Sequence, residues 1–462
     1  LKAPVITGAF VFLYLCPQFM RIPSIPGFDQ QAFEKYFKNT GWLMLARVGS
    51  LAIGILINNF ALSNYLGTKN FGILNYPMAI VTFFMAIAAL GLDGLVTRQL
   101  LNEPDKKDTI LGTAFRLRLL AGFLTLPLVY MAYHIISQHK QIETPFTYVL
   151  IVAFTAVIQS VNIIDSFFQS KVQGKAIMLV QVTGNLLSAA IKFTFILLKL
   201  PLIWFVWSLL LDAVIIGLGY IITYTTYHNR LTQWKYSTTE AKHLLKLSWP
   251  LTFSALLVSI YMKIDQLMID TYLNVKQLGI YSTVARLSES WYFIPVAIVT
   301  SVFPAIMHAR NTDKERYYKR LQNMYDLMVA ISLSIAIVMT FGSNLIYHLA
   351  YKPEFWPGAS VLSVHVWAGI FVFLGSASGQ YLIAEGYFKL AMLRTGVGAV
   401  VNVVLNIFWI PAYGIIGAAY ATLIAYAVAT FFILFIPQTR VQGLQMLKSL
   451  LLISLFQKVI KR

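Results

Sequence analysis

The chain has 462 residues, 58% of them hydrophobic and 12% charged, against roughly 45–50% and 25% in soluble domains, and this excess of apolar surface excludes a soluble globular protein. A formal net charge of +18 would suit nucleic acid, but the basic residues sort by loop in the manner of a membrane protein, which leaves no nucleic-acid role. The one cysteine, Cys16, and seven histidines without paired spacing exclude a disulfide framework and a histidine- or cysteine-based metal site.

Residues 1–40 read as an N-terminal extension. Their apolar part, 3–20, is interrupted by Pro4, Gly8 and Pro17 and followed by Arg21, Pro23, Pro26 and Gly27. An interfacial or disordered segment is expected there in preference to a further span, which would move the N-terminus to the other side. From residue 41 onward, apolar runs of about twenty residues recur, the length that crosses ~30 Å of hydrocarbon. Spans are expected at 41–60, 73–95, 109–133, 146–167, 176–197, 201–224, 248–271, 278–305, 324–349, 360–384, 389–410 and 415–436. The fold class is therefore all-α, a polytopic membrane protein of about twelve helices. The tail, 438–462, places Leu444, Leu447 and Leu451 on one helical face and reads as an amphipathic helix on the inner leaflet.

Alternate loops carry different charge. One set, with both termini, holds 23 Lys and Arg, among them Lys107, Lys242 and Lys319, and the other holds five: Lys69, Lys140, Lys199, Lys276 and Lys352. Short basic loops stay inside, so both termini and the linker 225–247 are expected in the cytoplasm. The chain also repeats. At an offset of 207, Trp42, Tyr65, Leu66, Lys69, Gly72 and Ile73 meet Trp249, Tyr272, Leu273, Lys276, Gly279 and Ile280. Two lobes of six helices, 41–224 and 248–437, are expected as parallel repeats about a central cavity. Gly72 and Gly279 are expected in equivalent turns, either as pivots for rocking or as purely structural turn residues.

Polar residues inside the spans are costly and few. Gln181, Asn185, Ser188 and Lys192 form one stripe of a helix, and Gln159, Asn162, Ser166 and Gln169 another. Each stripe suits cavity lining or interhelical hydrogen bonding. The deep cations are Arg47, Arg116, Arg118, Lys192, Lys263 and Arg286. They are tiered along the path and suit an anion handed from one leaflet to the other. Arg116 and Arg118 are two residues apart and cannot both face one cavity, while Lys192 and Arg394 lie near enough to helix ends to snorkel. Arg286 and Glu289 could equally be an ion pair within one helix. Asp265, beside Lys263 and equivalent to Asn58, could bind a coupling ion or be paired structurally. Asp212 has no evident partner, and Glu143 and Glu354 stand alone in short loops.

The run Lys263, Asp265, Gln266, Tyr272, Gly279, Ile280, Tyr281, Ala285, Arg286, Glu289, Trp291, Tyr292, Pro295, Phe303 and Pro304 resembles the second half of bacterial O-antigen and polysaccharide repeat-unit flippases. Tyr65, Leu66, Gly67, Phe71, Gly72, Gly91, Leu92 and Arg98 are similar to their first half. These flippases belong to the multidrug/oligosaccharidyl-lipid/polysaccharide exporter superfamily. The resemblance covers about residues 38–437 and implies alternating-access export of undecaprenyl-pyrophosphate-linked oligosaccharide across the bacterial cytoplasmic membrane. It also implies no cofactor, coupling to a proton or sodium gradient in some members, and membrane lipids and polysaccharide polymerase machinery as partners. An organic-cation antiporter on the same fold would need a cavity dominated by acidic residues. A membrane glycosyltransferase or polymerase would need acid/base residues in a sizeable outer loop, and no catalytic constellation is present in the sequence.

Overall fold

Long apolar helices form along the chain in the computed structural model, which describes residues 30–454 and Gln457. The expectations placed on residues 1–29, Cys16 included, and on Lys458, Lys461 and Arg462 lie outside the described residues. The helices are α1 (Gln30–Ile53), α2 (Leu62–Ala88), α3 (Leu92–Asn102), α4 (Lys107–His139), α5 (Phe146–Ile158), α6 (Ile163–Ser170), α7 (Gly174–Leu197) and α8 (Leu202–Thr226) in the first half. In the second half they are α9 (Thr238–Tyr272), α10 (Val275–Glu289), α11 (Phe293–Thr312), α12 (Lys314–Ala350), α13 (Gly358–His365), α14 (Ala368–Ala384), α15 (Phe388–Tyr413), α16 (Ile415–Phe431) and α17 (Arg440–Leu450). Among the described residues, ten helical stretches are long and apolar enough to cross a membrane. One of them, Gly41–Asn102, holds two spans, because Gly67 at φ 73° and ψ 171° breaks the helix between them. The broken pair α10 and α11 adds a further apolar helical stretch, so the described residues form a multi-pass membrane protein of about twelve helices.

Helix starts follow local signals. Ser237, Asn274 and Asp313 each accept a hydrogen bond from the third residue beyond them, at Glu240, Gln277 and Arg316, which satisfies an otherwise orphaned N–H at the heads of α9, α10 and α12. The first span starts earlier than expected. Its helix begins at Gln30, inside the segment read as an extension to residue 40.

Four spans are interrupted within the bundle, and they correspond between the halves. Span 2 breaks at residues 89–91 and span 8 at 290–292, while span 4 tightens to a 3₁₀ turn over Gln159–Asn162 and span 10 breaks at 366–367. Uninterrupted helices were expected at all four places, because a break without proline leaves little trace in hydropathy. The first span carries a different irregularity, a π-helical stretch over Gly54–Ala61.

The halves meet at the end of the bundle opposite the 227–237 linker and again nearer the linker, where Gly91 lies against Leu251 and Thr252 and Gln99 meets His243 at 3.4 Å. Gly72 and Gly279 are inside α2 and α10, not in turns, and neither has a positive φ. Their role is close approach. A Cβ on Gly72 would stand 1.8 Å from the Val275 carbonyl oxygen, and one on Gly279 would stand 2.0 Å from that of Thr68. Thr68 and Val275 are themselves related by the 207-residue repeat, so the contact is self-complementary about the pseudo-twofold axis. Around it, Asn64 Nδ2 donates to Ala350 O at 2.6 Å and Asn64 Oδ1 accepts from Lys352 N at 2.8 Å. Glu354 accepts from Thr68 Oγ1 at 3.0 Å and Thr68 N at 3.3 Å, capping the helix that resumes after Gly67. Lys140 reaches Asp270, and Glu143 pairs with Lys69 at 2.6 Å. Glu143 and Glu354, which stand alone in the sequence, thus both have partners on α2.

The linker is fastened to the first half. Lys235 N donates to Asp108 O at 3.1 Å, Ser237 N to Thr113 Oγ1 at 3.1 Å, and Trp234 Nε1 to Tyr224 Oη at 3.1 Å. The tail helix α17 docks on α12 through its polar face, with Gln442 donating to Tyr325 Oη and Ser449 to Asp326. Val441, Leu444 and Leu451 point outward, so the apolar face of the tail is free to meet lipid.

Candidate functional site

The seam between the halves holds one deep guanidinium, and three elements position it. The π-helical stretch of the first span widens the backbone, with Leu62 N donating back to Ile57 O, and such stretches tend to occur where a helix serves a function. Asn58 lies in it. On α2, Asn75 is buried and donates its own Nδ2 to Phe71 O at 2.7 Å, which orients its Oδ1. From α10 in the other half, Arg286 crosses the seam: Nη1 donates to Asn58 O at 3.2 Å and Nη2 to Asn75 Oδ1 at 2.7 Å. The guanidinium also lies over the Phe71 ring, 5.6 Å from its centroid. These partners are neutral oxygens and a π face, and no salt bridge to Arg286 occurs among the described residues.

Arg286 does not pair with Glu289, although the two are three residues apart on one helix. Glu289 instead accepts from Lys263 at 2.9 and 3.1 Å, so this pair ties α9 to α10. Asp265 is not Lys263's partner either. It is buried and accepts from the Tyr281 hydroxyl and from Gln266 N. The Arg286–Glu289 pair within one helix does not form because both side chains reach across to neighbouring helices, which spacing along one helix cannot report. His365, from span 10, meets Ser288 Oγ at 2.9 Å behind this cluster.

The remaining cations separate by environment. Lys192 is 1% exposed and does not snorkel. It donates to Asp212 at 2.5 Å and to Asn58 Oδ1 at 3.0 Å, and Ser188 completes the knot by donating to Asp212. Asp212 therefore has the partner that its sequence position concealed. The rest of that stripe is spent on the same kind of tie: Gln181 bonds Tyr220 and Asn185 bonds Ser50. Arg118 is 4% exposed and pairs with Asp93 at 2.6 Å. Arg116, on the other side of α4, is exposed over the Tyr236 ring, and Arg47 is exposed on α1. Arg394 is held inside the second half by Ser378 Oγ and Gly375 O. Arg286, Asn58 and Lys192 are thus joined in one chain of contacts, whereas Arg47, Arg116 and Arg118 stand apart from it. Asn75 escaped the sequence reading. The signal for it was available in its position on α2, four residues after Phe71 and among apolar neighbours.

Comparison with known proteins gives the same fold. Residues 36–310 match the family model described as polysaccharide biosynthesis protein, and residues 250–408 match the MatE model. A probable flippase, AglR of Haloferax volcanii, is 30% identical over 182 residues, covering 36% of this chain and 35% of that protein. CapF of Staphylococcus aureus, a capsular polysaccharide biosynthesis protein, is 22% identical over 233 residues, or 50% of this chain and 58% of CapF. The chain thus matches about a third to a little over half the length of these relatives. Among solved structures, the lipid II flippase MurJ in an inward closed conformation superposes with a TM-score of 0.68 at 16% identity, covering 92% of this chain and 93% of that one. An inward-facing multidrug resistance MATE family transporter of the MOP superfamily gives a TM-score of 0.69 at 15% identity, with 92% and 99% covered.

Proposed function

From the premise that the chain belongs to the polysaccharide biosynthesis family of membrane proteins, as the match over residues 36–310 shows, we propose that it is a flippase for a lipid-linked glycan. The observation that carries this reading is Arg286. A deep charge neutralised by a carboxylate has no affinity to spare, but a guanidinium held only by neutral dipoles across a seam can exchange them for a phosphate, to which it presents two parallel N–H donors. An organic-cation transporter would be poorly served by an unneutralised cation at that place. The finer reading is undecaprenyl pyrophosphate as the carrier and a surface polysaccharide repeat unit as the cargo, taken from the inner to the outer leaflet. The 23-to-5 charge bias of the loops supports a cytoplasmic linker and cytoplasmic termini. The far-end seam then faces outward and is closed here. Exchange of Arg286's ligands from Asn58 and Asn75 to a phosphate loosens that seam, and this couples cargo binding to alternation.

The test is genetic and chemical. Deleting the gene should remove a surface glycan and leave its lipid-linked repeat unit accessible only from the cytoplasmic side of inverted vesicles. A deletion strain with normal surface glycans and no accumulated lipid-linked intermediate would refute the proposal.

A further inference from the structure

Behind Arg286, inside the first half, two spaces of about 260 and 110 Å³ share the side chains of Met85, Gln159 and Asn162. Together they reach the lower range of small-molecule sites, ~300–1,000 Å³. They begin at the anion site, because Arg286 Nη2 lies 3.9 Å from Met78 Sδ and Met78 lines the larger space. From there Met78, Thr82 and Met85 descend one face of α2 along the cavity.

The walls indicate what fits. Each space includes one carboxylate, Asp212 in the larger and Asp93 in the smaller, and each carboxylate is already neutralised, by Lys192 at 2.5 Å and Arg118 at 2.6 Å. With both charges cancelled, the cavity offers little to a free ion of either sign. It nevertheless retains hydrogen-bonding capacity of both kinds. Arg118 Nε is a donor, Asn162 Oδ1 an acceptor and Ser160 Oγ either, and all three are buried without a partner among the described residues. The amide and hydroxyl side chains of Gln159, Ser160 and Asn162 line the space, so an occupant with paired donors and acceptors is favoured. The 3₁₀ turn at Gln159–Asn162 stacks Gln159 and Asn162, three residues apart, on one line, with Ser160 about a third of a turn away.

We infer that this cavity is a saccharide subsite. It receives a neutral, hydroxyl-bearing sugar of the cargo while the phosphate adjoining that sugar is held at Arg286. The inference rests on the flippase reading and adds to it the place where the sugar is recognised. A sugar hydroxyl both donates and accepts, which matches the mixed lining, and Met78 and Met85 give an adaptable apolar surface for the C–H face of a ring. Gln159, Ser160 and Asn162 are then specificity-determining residues.

The experiment uses the full-length protein in nanodiscs and two probes: lipid-linked glycan extracted from cells lacking the protein, and bare polyprenyl pyrophosphate of the same chain length. Wild type should bind the glycan-bearing lipid about tenfold more tightly than the bare one. Gln159→Leu with Asn162→Leu should bring the two affinities together while leaving the bare lipid's unchanged, and the milder Ser160→Ala should reduce the preference by part of that amount. Thermal unfolding identifies any variant that fails to fold, and Ser160→Ala then decides. Retention of the preference in every folded variant, or equal loss for both probes, overturns the subsite. Wild type that binds neither probe would instead remove the flippase reading and the subsite with it.

Discussion

Lys192 and Arg286 are both deep cations that touch Asn58, yet their surroundings differ in kind. Inside the first half, Lys192 is sealed and cancelled by Asp212. At the seam, Arg286 is held across the two halves by Asn58 O, Asn75 Oδ1 and the Phe71 ring. A buried ion pair is costly to break from one side because the surviving charge has no solvent. A cation solvated by neutral dipoles can be withdrawn and leaves only acceptors that water can satisfy. The first arrangement holds helices together, and the second can respond to a ligand.

The largest stability effect should come from the interior. Lys192→Met leaves Asp212 without its cation and should destabilise the protein by about 1–3 kcal/mol, less than for a fully buried pair because the Asp212 side chain is 33% exposed, read as loss of abundance and a lower unfolding temperature in detergent. Adding Asp212→Leu should restore most of it. A single variant as stable as wild type would show that the knot is not structural and would erase the distinction from Arg286.

The seam should respond next. Gly279→Ala places a methyl group against Thr68 O, where only 2.0 Å is available, and forcing backbones apart typically costs about 1–3 kcal/mol. Because Gly72 meets Val275 in the same way, Gly72→Ala should act alike, and both should shift the population toward a form open at the far end. Faster labelling of a cysteine introduced at Val275, which is 1% exposed in the closed seam, would report this, and unchanged labelling in both variants would mean that the glycines do not govern closure.

Arg286→Ala should leave abundance near wild type, since the cost of unmet acceptors is about 1–3 kcal/mol at most and the site is only partly buried. Transport should nevertheless fall about tenfold or more, and Arg286→Lys should recover only part of it because a point charge lacks the fork. Loss of folding in Arg286→Ala would make this residue a structural tie like Lys192. The smallest effect expected is that of Glu354→Ala, which removes the cap on Thr68 and should weaken the closed seam by about 0.5–2 kcal/mol. The same labelling assay, with a smaller increase than for the glycines, checks it.

Hydropathy was enough to identify a multi-pass membrane protein of about twelve helices, because burial in lipid demands long apolar stretches whatever the tertiary arrangement, whereas the helix after the linker begins at Thr238, inside the segment 225–247 read as linker. Hydropathy and the internal repeat also singled out Arg286, Lys192 and the two glycines, since a charge in a span or an identity between repeats stands out in one dimension. The sequence could not distinguish their roles. Arg286 was as compatible with Glu289 as with a cavity, and only the packing of α10 against α2 sends it across the seam while Lys263 takes Glu289. Gly72 and Gly279 read as turn residues, either pivots or purely structural, until the structure set each inside a helix against a backbone carbonyl of the other half. Partners hundreds of residues away, such as Asn64 with Ala350 and Thr68 with Glu354, leave no periodic signature. Local chemistry determines which helices form and how deep each charge lies. Which charge is cancelled and which remains available depends on what the neighbouring helix presents at that depth, and that is decided only when the helices pack.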